Sequence, residues 1–228
     1  SPCEVELFLP NELKHFQIAT GLPAKSLVKG RFTLKAENYD QLIDSPFELA
    51  EQSRFSFEAN GIPHEFVISG KHTTNLTRLQ ADMAKICQTE IDMFGSAPFQ
   101  NYTFMTMATG NSYGGLEHCN STSLITPRDD LPKADEAEEP SKDYQRFLGL
   151  CSHEYFHSWL VKFIRPENFV NYDLNKESYT SLLWIFEGFT SYYDDLILLR
   201  SGVISQKSYL ELLKAQIDRY LQNPGRCI

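Results

Sequence analysis

No stretch of this 228-residue chain is apolar enough to cross a bilayer. Its longest unbroken apolar run, Leu182 to Phe186, falls far short of the ~20 residues that a membrane-spanning helix needs. Positive charge is also in deficit: 21 Lys and Arg stand against 30 Asp and Glu, a net charge of −9. Such a chain repels phosphate backbones, which excludes nucleic acid as a natural partner. Cysteine is sparse, with five residues scattered at positions 3, 87, 119, 151 and 227. An odd, dispersed set makes no disulfide framework and points to a reducing compartment. The expected location is the cytoplasm, with the periplasm as the alternative, since the chain opens on Ser1-Pro2-Cys3 without an initiator Met or leader. Internal repeats and low-complexity tracts are missing too, which removes solenoids and linkers from consideration. Aromatic residues, by contrast, make up 13% and hydrophobic residues 42%, enough for a packed core and too many for a disordered chain.

The periodicities predict an α+β chain. Cys3 to Leu9 alternates charged and apolar residues, the period of a half-buried strand. Phe16 to Ala19, Arg31 to Ala36, Arg54 to Ala59 and Glu65 to Ser69 read similarly, and Asn60-Gly61 marks a hairpin. The pattern changes near residue 72. From Asn75 to Phe94 the apolar residues fall three or four apart, an amphipathic helix with Thr74 or Asn75 as its cap and Gly95 as its stop. Tyr102 to Ala108 and Leu116 to Thr126 read as two strands, and the acidic segment Pro127 to Asp143 as a solvated loop. Helices follow at Tyr144 to Val161, Tyr179 to Arg200 and, capped by Ser205, onward through Leu221, with Phe163 to Lys176 irregular between the first two. The expected division is a β-rich part over 1–72 and a second part over 73–228.

Chemistry concentrates in His153-Glu154-Tyr155-Phe156-His157, an H-E-x-x-H motif inside a predicted helix. Residues i and i+4 leave the same helical face one turn apart, so both imidazoles can hold one Zn²⁺. Glu154, beside that face, can take a proton from a water whose pKa the metal lowers. A catalytic zinc needs a third protein ligand, and Glu187, a lone carboxylate in the strongly apolar run Leu183 to Phe189, is the best candidate. Tyr113-Gly114-Gly115-Leu116-Glu117-His118 sets two glycines ahead of a carboxylate that could bind a free α-ammonium. His118 points to the opposite strand face from Glu117. His15, His64 and His72 read as solvent-facing, and Cys119 and Cys151 as buried small apolar residues.

Taken in order, Gly114-Gly115-Leu116-Glu117-His118, His153 through Trp159 and Leu183-Trp184 through Asp195 resemble the M61 glycyl aminopeptidase family, with Ile43-Asp44-Ser45-Pro46 as a further match. These are gluzincin metallopeptidases related to the M1 aminopeptidases and to thermolysin. The resemblance implies a partial N-terminal β domain followed by a thermolysin-like catalytic domain with zinc-bearing helices. It implies one zinc per chain on His153, His157 and Glu187, with Glu154 as general base. Glu117 is implied to hold the substrate N-terminus, and Gly114 and Gly115 to form the backbone edge that binds peptide as an added strand. Asp194, seven residues after Glu187, falls on the same helical face and could orient a ligand His. The implied activity is removal of N-terminal residues, Gly or Ala by the family name, from peptides with a free N-terminus. The alternatives are a zinc endopeptidase of the same class and an inactive peptide-binding fragment. The 29 residues between His157 and Glu187 exceed the spacing in M1 enzymes and favour M61. Leu160 stands where the family leads one to expect Asn. Related enzymes carry a downstream Tyr that stabilises the oxyanion, and no equivalent precedes Ile228. The resemblance therefore implies the core of a longer protein, followed by a PDZ-like domain.

Overall fold

The computed structural model describes residues 1–227. Two small β-sheets precede the long helices. Strands β1 (Cys3–Phe8), β2 (Gln17–Thr20), β3 (Ala24–Val28) and β4 (Arg31–Ala36) lead into the one-turn helix α1 (Tyr39–Ile43) and strand β5 (Phe47–Ala50). β1, β4 and β3 form an antiparallel three-stranded sheet, and β2 pairs with β5. The alternation in Cys3–Phe8 puts Val5 and Leu7 against Leu34 and Leu22.

The larger sheet holds β6 (Gln52–Ala59), β7 (Ile62–Ser69), then, after helix α2 (Leu76–Phe94), β8 (Tyr102–Thr109), β9 (Gly114–Glu117) and β10 (Ser121–Pro127). Its order is β6-β7-β8-β10-β9, with β7, β8 and β10 parallel and both outer strands antiparallel. Asn60, at φ 50°, and Gly61, at φ 72°, make the foreseen hairpin turn. The expected single strand from Leu116 to Thr126 is instead the hairpin β9–β10, folded at residues 118–120. β6 and β7 are hydrogen-bonded into the same sheet as β8, so the sheet boundary falls near residue 51.

One face of this sheet carries the core. Phe66, Phe104 and Leu124 meet Leu79, Met83, Ile86 and Ile91 of α2 and the apolar side of α3 (Lys142–Phe156). Asn75 caps α2 by accepting from Arg78 N, and Gly95 ends it at φ 81°. Helices α4 (Leu183–Arg200) and α5 (Gln206–Gln222), the latter capped by Ser205, pack at one side through Ile197, Leu198 and Leu212. The acidic loop is not wholly solvated as expected. Asp130 is buried beside Arg146, and Glu139 accepts from Ser205 N at the start of α5.

His64 overturns its solvent-facing reading. It is buried on β7, its Nδ1 donates to Ile62 O and its Nε2 accepts from Tyr155 Oη at 2.8 Å. Burial pulls this imidazole down from 6.5 to about 4. The unfolded chain therefore takes up a proton below pH 6.5 that the folded chain refuses, and stability drains away as pH falls from 6.5 towards 4. At about 1.36 kcal/mol for each pH unit, the loss by pH 4 is about 3 kcal/mol. Urea unfolding of the parent and His64→Gln at pH 7 and pH 4 reads this directly. The variant should lose about 3 kcal/mol less than the parent over that interval; equal losses would remove His64 as the cause.

Candidate metal centre and peptide edge

Helix α3 is built to face inward. Ser141 caps it, and Tyr144, Phe147, Leu148 and Cys151 bury its apolar side. The helix ends at Phe156, with His157 as its last cap residue, rather than at Val161 as the periodicity predicts. The reason is a turn: Lys162 N donates back to His157 O and Ile164 N to Trp159 O. Val161 sits in it at φ 119°, a conformation costly for a β-branched residue.

His153 and His157 leave α3 one turn apart, and their Nε2 atoms lie 3.2 Å from each other. Glu187 on α4 brings Oε2 to 3.5 Å from His153 Nε2 and 3.7 Å from His157 Nε2. A tetrahedral zinc with ligands at about 2.0–2.1 Å has donors about 3.3–3.4 Å apart, so this donor set has the spacing of three corners of such a site. Among the described residues it is the one group of three with donors so placed, all within 4.8 Å. The far ring nitrogens are held as well. His153 Nδ1 donates to Asp194 Oδ2 at 3.0 Å, and His157 Nδ1 to Leu160 O at 2.9 Å. Both bonds place a ring proton on Nδ1 and make Nε2 the atom that each ring turns towards Glu187. Residue 160 acts through its main chain, so a Leu in place of Asn leaves this contact intact.

Glu187 departs from its expectation. Its side chain is 55% exposed, and its neighbours Trp184 and Phe189 are exposed too, on a helix that begins at Leu183 and not at Tyr179. Burial therefore does not mark this carboxylate; its proximity to the two imidazoles does.

Glu154 is 6% exposed, and its Oε2 has no hydrogen-bond partner among the described residues. It packs directly on β9: a Cβ added to Gly115 would lie 2.5 Å from Glu154 Cγ and overlap the carboxyl group. β9 is an outer strand of the five-stranded sheet, and β10 is its one partner among the described residues. Register sets Gly115 opposite Leu124 and Glu117 opposite Thr122, so Gly115 and Glu117 share the face turned to α3. Leu116 points to the other face, where Phe47, Met105, Met107 and Ile125 line an apolar cleft of about 450 Å³.

The strand end is anchored by a residue that spacing arguments did not single out. Asp44 accepts from Cys119 N at 2.9 Å and from Lys162 Nζ at 2.7 Å, with His118 Nδ1 3.4 Å away. It thus ties the N-terminal strands to the β9–β10 turn and to the turn after His157. His118 is buried here, whereas Cys119 is exposed, against the buried reading of that thiol.

The electrostatics follow the contacts. Burial pushes the Glu154 carboxyl up to about 7 against the pull of His153 and His157. Hydrogen bonds to His153 and His157 hold Glu187 well below the usual carboxylate range. Burial pulls His153 down, but hydrogen bonds to Asp194 and Glu187 outweigh it and raise the imidazole to about 10.

Comparison with known proteins gives a consistent grouping. The family model described as M61 glycyl aminopeptidase matches residues 146–228, and that of the peptidase M61 N-terminal domain matches residues 1–51. A crystal structure of an aminopeptidase N family protein from Idiomarina loihiensis superposes with a TM-score of 0.89 at 50% identity, over 93% of this chain and 36% of that one. The chain thus spans about a third of the length of that relative. The crystal structure of an M1 zinc metallopeptidase E323A mutant from Deinococcus radiodurans superposes with a TM-score of 0.57 at 12% identity, covering 95% of this chain and 44% of that one, a likeness of fold alone. No curated protein matches the chain.

Proposed function

Because the chain belongs to the M61 glycyl aminopeptidase family, we propose that it carries the metal centre and peptide edge of a zinc aminopeptidase. The donor set of two imidazole nitrogens and one carboxylate oxygen, 3.2–3.7 Å apart, is the observation that carries this reading. His153, His157 and Glu187 hold one Zn²⁺, which when bound polarises a carbonyl and lowers the pKa of water. Glu154 takes a proton from the attacking water on Oε2, which has no partner among the described residues, and passes it to the departing amine. Gly114 and Gly115 offer β9's open edge to an added peptide strand. Glu117, on the same face as Gly115, pairs with the substrate's α-ammonium and confines cleavage to the first residue. Residues 1–51 belong to a separate N-terminal β unit in this reading, and the remainder to the peptidase unit.

The test is elemental analysis of the purified protein beside His157→Ala, together with hydrolysis of a peptide with a free or an acetylated N-terminus. About one zinc per chain, lost in the variant, with cleavage of the free peptide alone, is the expected result. No zinc in either sample overturns the metal centre, and equal cleavage of both peptides makes the protein an endopeptidase. Binding of both peptides without cleavage makes it a peptide-binding module.

Asp194 gives a further expected result. Asp194→Ala removes the acceptor that fixes the His153 ring, so zinc affinity read by chelator competition should fall about 10–100-fold. An unchanged affinity would reduce Asp194 to a bystander.

A further inference from the structure

Glu90 of α2 is a fully buried carboxyl one layer behind the candidate metal centre. Its Oε1 lies 2.8 Å from Ser152 Oγ on α3, and the same Oγ lies 3.0 Å from the main-chain carbonyl oxygen of Asp194 on α4. A serine hydroxyl has one proton to donate, and it accepts as well. Two oxygens face this hydroxyl, and the Asp194 carbonyl can only accept. Both contacts become full hydrogen bonds when the Ser152 proton goes to that carbonyl and Glu90 donates, which requires a protonated carboxyl.

The surroundings agree. No Lys, Arg or His lies within ion-pair distance of Glu90 among the described residues, whose ion pairs all lie elsewhere. Its Oε2 has no hydrogen-bond partner among the described residues. An ionised carboxylate there would be a buried charge without a counter-ion, whereas the carbonyl oxygen of a neutral acid tolerates one missing partner far better. The titratable groups around it are Cys87 on its own helix, Tyr102 on β8, His153 and Tyr155 on α3 and Asp194 on α4. Burial raises the Glu90 carboxyl, outweighing the Ser152 hydrogen bond and the weaker pull of His153, and the Asp194 charge adds to the rise.

We propose that Glu90 is a neutral glutamic acid that donates to Ser152, which in turn donates to the Asp194 carbonyl, and that this relay is the positioning device behind the His153–Asp194 pair. Ser152 immediately precedes His153, and Asp194 holds His153 Nδ1, so the relay fixes both sides of that hydrogen bond to α2. The metal-binding consequence rests on the zinc reading above; the protonation state does not.

Two measurements test it. The infrared difference spectrum between the parent and Glu90→Gln should contain a carboxylic-acid C=O band lost in the variant; a carboxylate band in its place overturns the proposal. Chelator competition then reads zinc affinity. Glu90→Gln, which keeps a donor, should stay within about twofold of the parent, while Glu90→Leu and Ser152→Ala should fall about tenfold, the low end for partners behind a ligand. A Gln variant as impaired as the Leu variant, or a Leu variant that matches the parent, also overturns it. If Glu90→Leu does not fold, the Gln variant and the infrared band decide. A chain that has the acid band and takes up no zinc refutes the metal centre and leaves the neutral relay upheld.

Discussion

Replacing Glu154 with Gln is expected to lower kcat on a peptide with a free N-terminus by about 10²–10⁴-fold while zinc content stays at that of the parent. The two halves of this result have different causes. Gln has nearly the shape of Glu, and none of the three candidate ligand atoms belongs to residue 154, so the donor set stays intact. What disappears is an oxygen that can accept a proton. In the structure that oxygen is Oε2, buried and free of hydrogen bonds among the described residues, beside the open edge of β9. An amide in the same place donates where a base must accept. The measurement is kcat with metal analysis on the same sample. Loss of zinc in parallel would mean that Glu154 shapes the metal site; retained turnover would mean that another group takes the proton.

How far the sequence disclosed this site depends on how local each signal is. His153, Glu154 and His157 lie within one helical turn, so spacing alone put them together, and α3 holds them there. The α2 helix was equally plain, because its apolar residues recur at helical intervals and both of its caps are local. Glu187 was reached by a resemblance and by an argument from burial, and the burial argument failed: α4 exposes Trp184, Phe189 and Glu187 itself. Pairing between distant segments was less legible. Strand periodicity identified Arg54 to Ala59 and Glu65 to Ser69, but periodicity does not say which sheet a hairpin joins, and here β7 pairs with β8 across the whole of α2. Nor does it mark where a strand folds back, so β9 and β10 read as one. His64 looked exposed because a lone His beside Pro63 resembles a turn, and only the tertiary partner Tyr155 explains its burial. Asp44, Ser152 and Glu90 act through partners 42 to 118 residues away in sequence. No local pattern encodes such contacts.

The second large effect is expected at Gly115, whose missing side chain is what lets α3 and β9 approach. Gly115→Ala sets a Cβ 2.5 Å from Glu154 Cγ and into its carboxyl group, closer than any real contact. Its backbone is not in the left-handed region, so the substitution strains no dihedral angle; the cost is the collision alone. Glu154 is held on the helix, so either its side chain leaves the β9 face or the strand edge moves outward. Both shift the proton acceptor relative to a peptide paired with β9, and a displacement of about 1 Å at a reacting centre costs about 10²-fold in rate. The expected result is that fall in kcat with zinc content and fold unchanged. Gly114→Ala is the contrast. Its Cβ would meet only Ile125 Cγ2 at 3.9 Å, an ordinary contact that leaves Glu154 where it stands. Any cost at position 114 comes from crowding the incoming peptide and raises KM. Two adjacent glycines should therefore separate, one acting on the chemical step and the other on binding. If both variants change KM alone, the glycines serve only substrate approach and the packing of Glu154 on β9 is incidental.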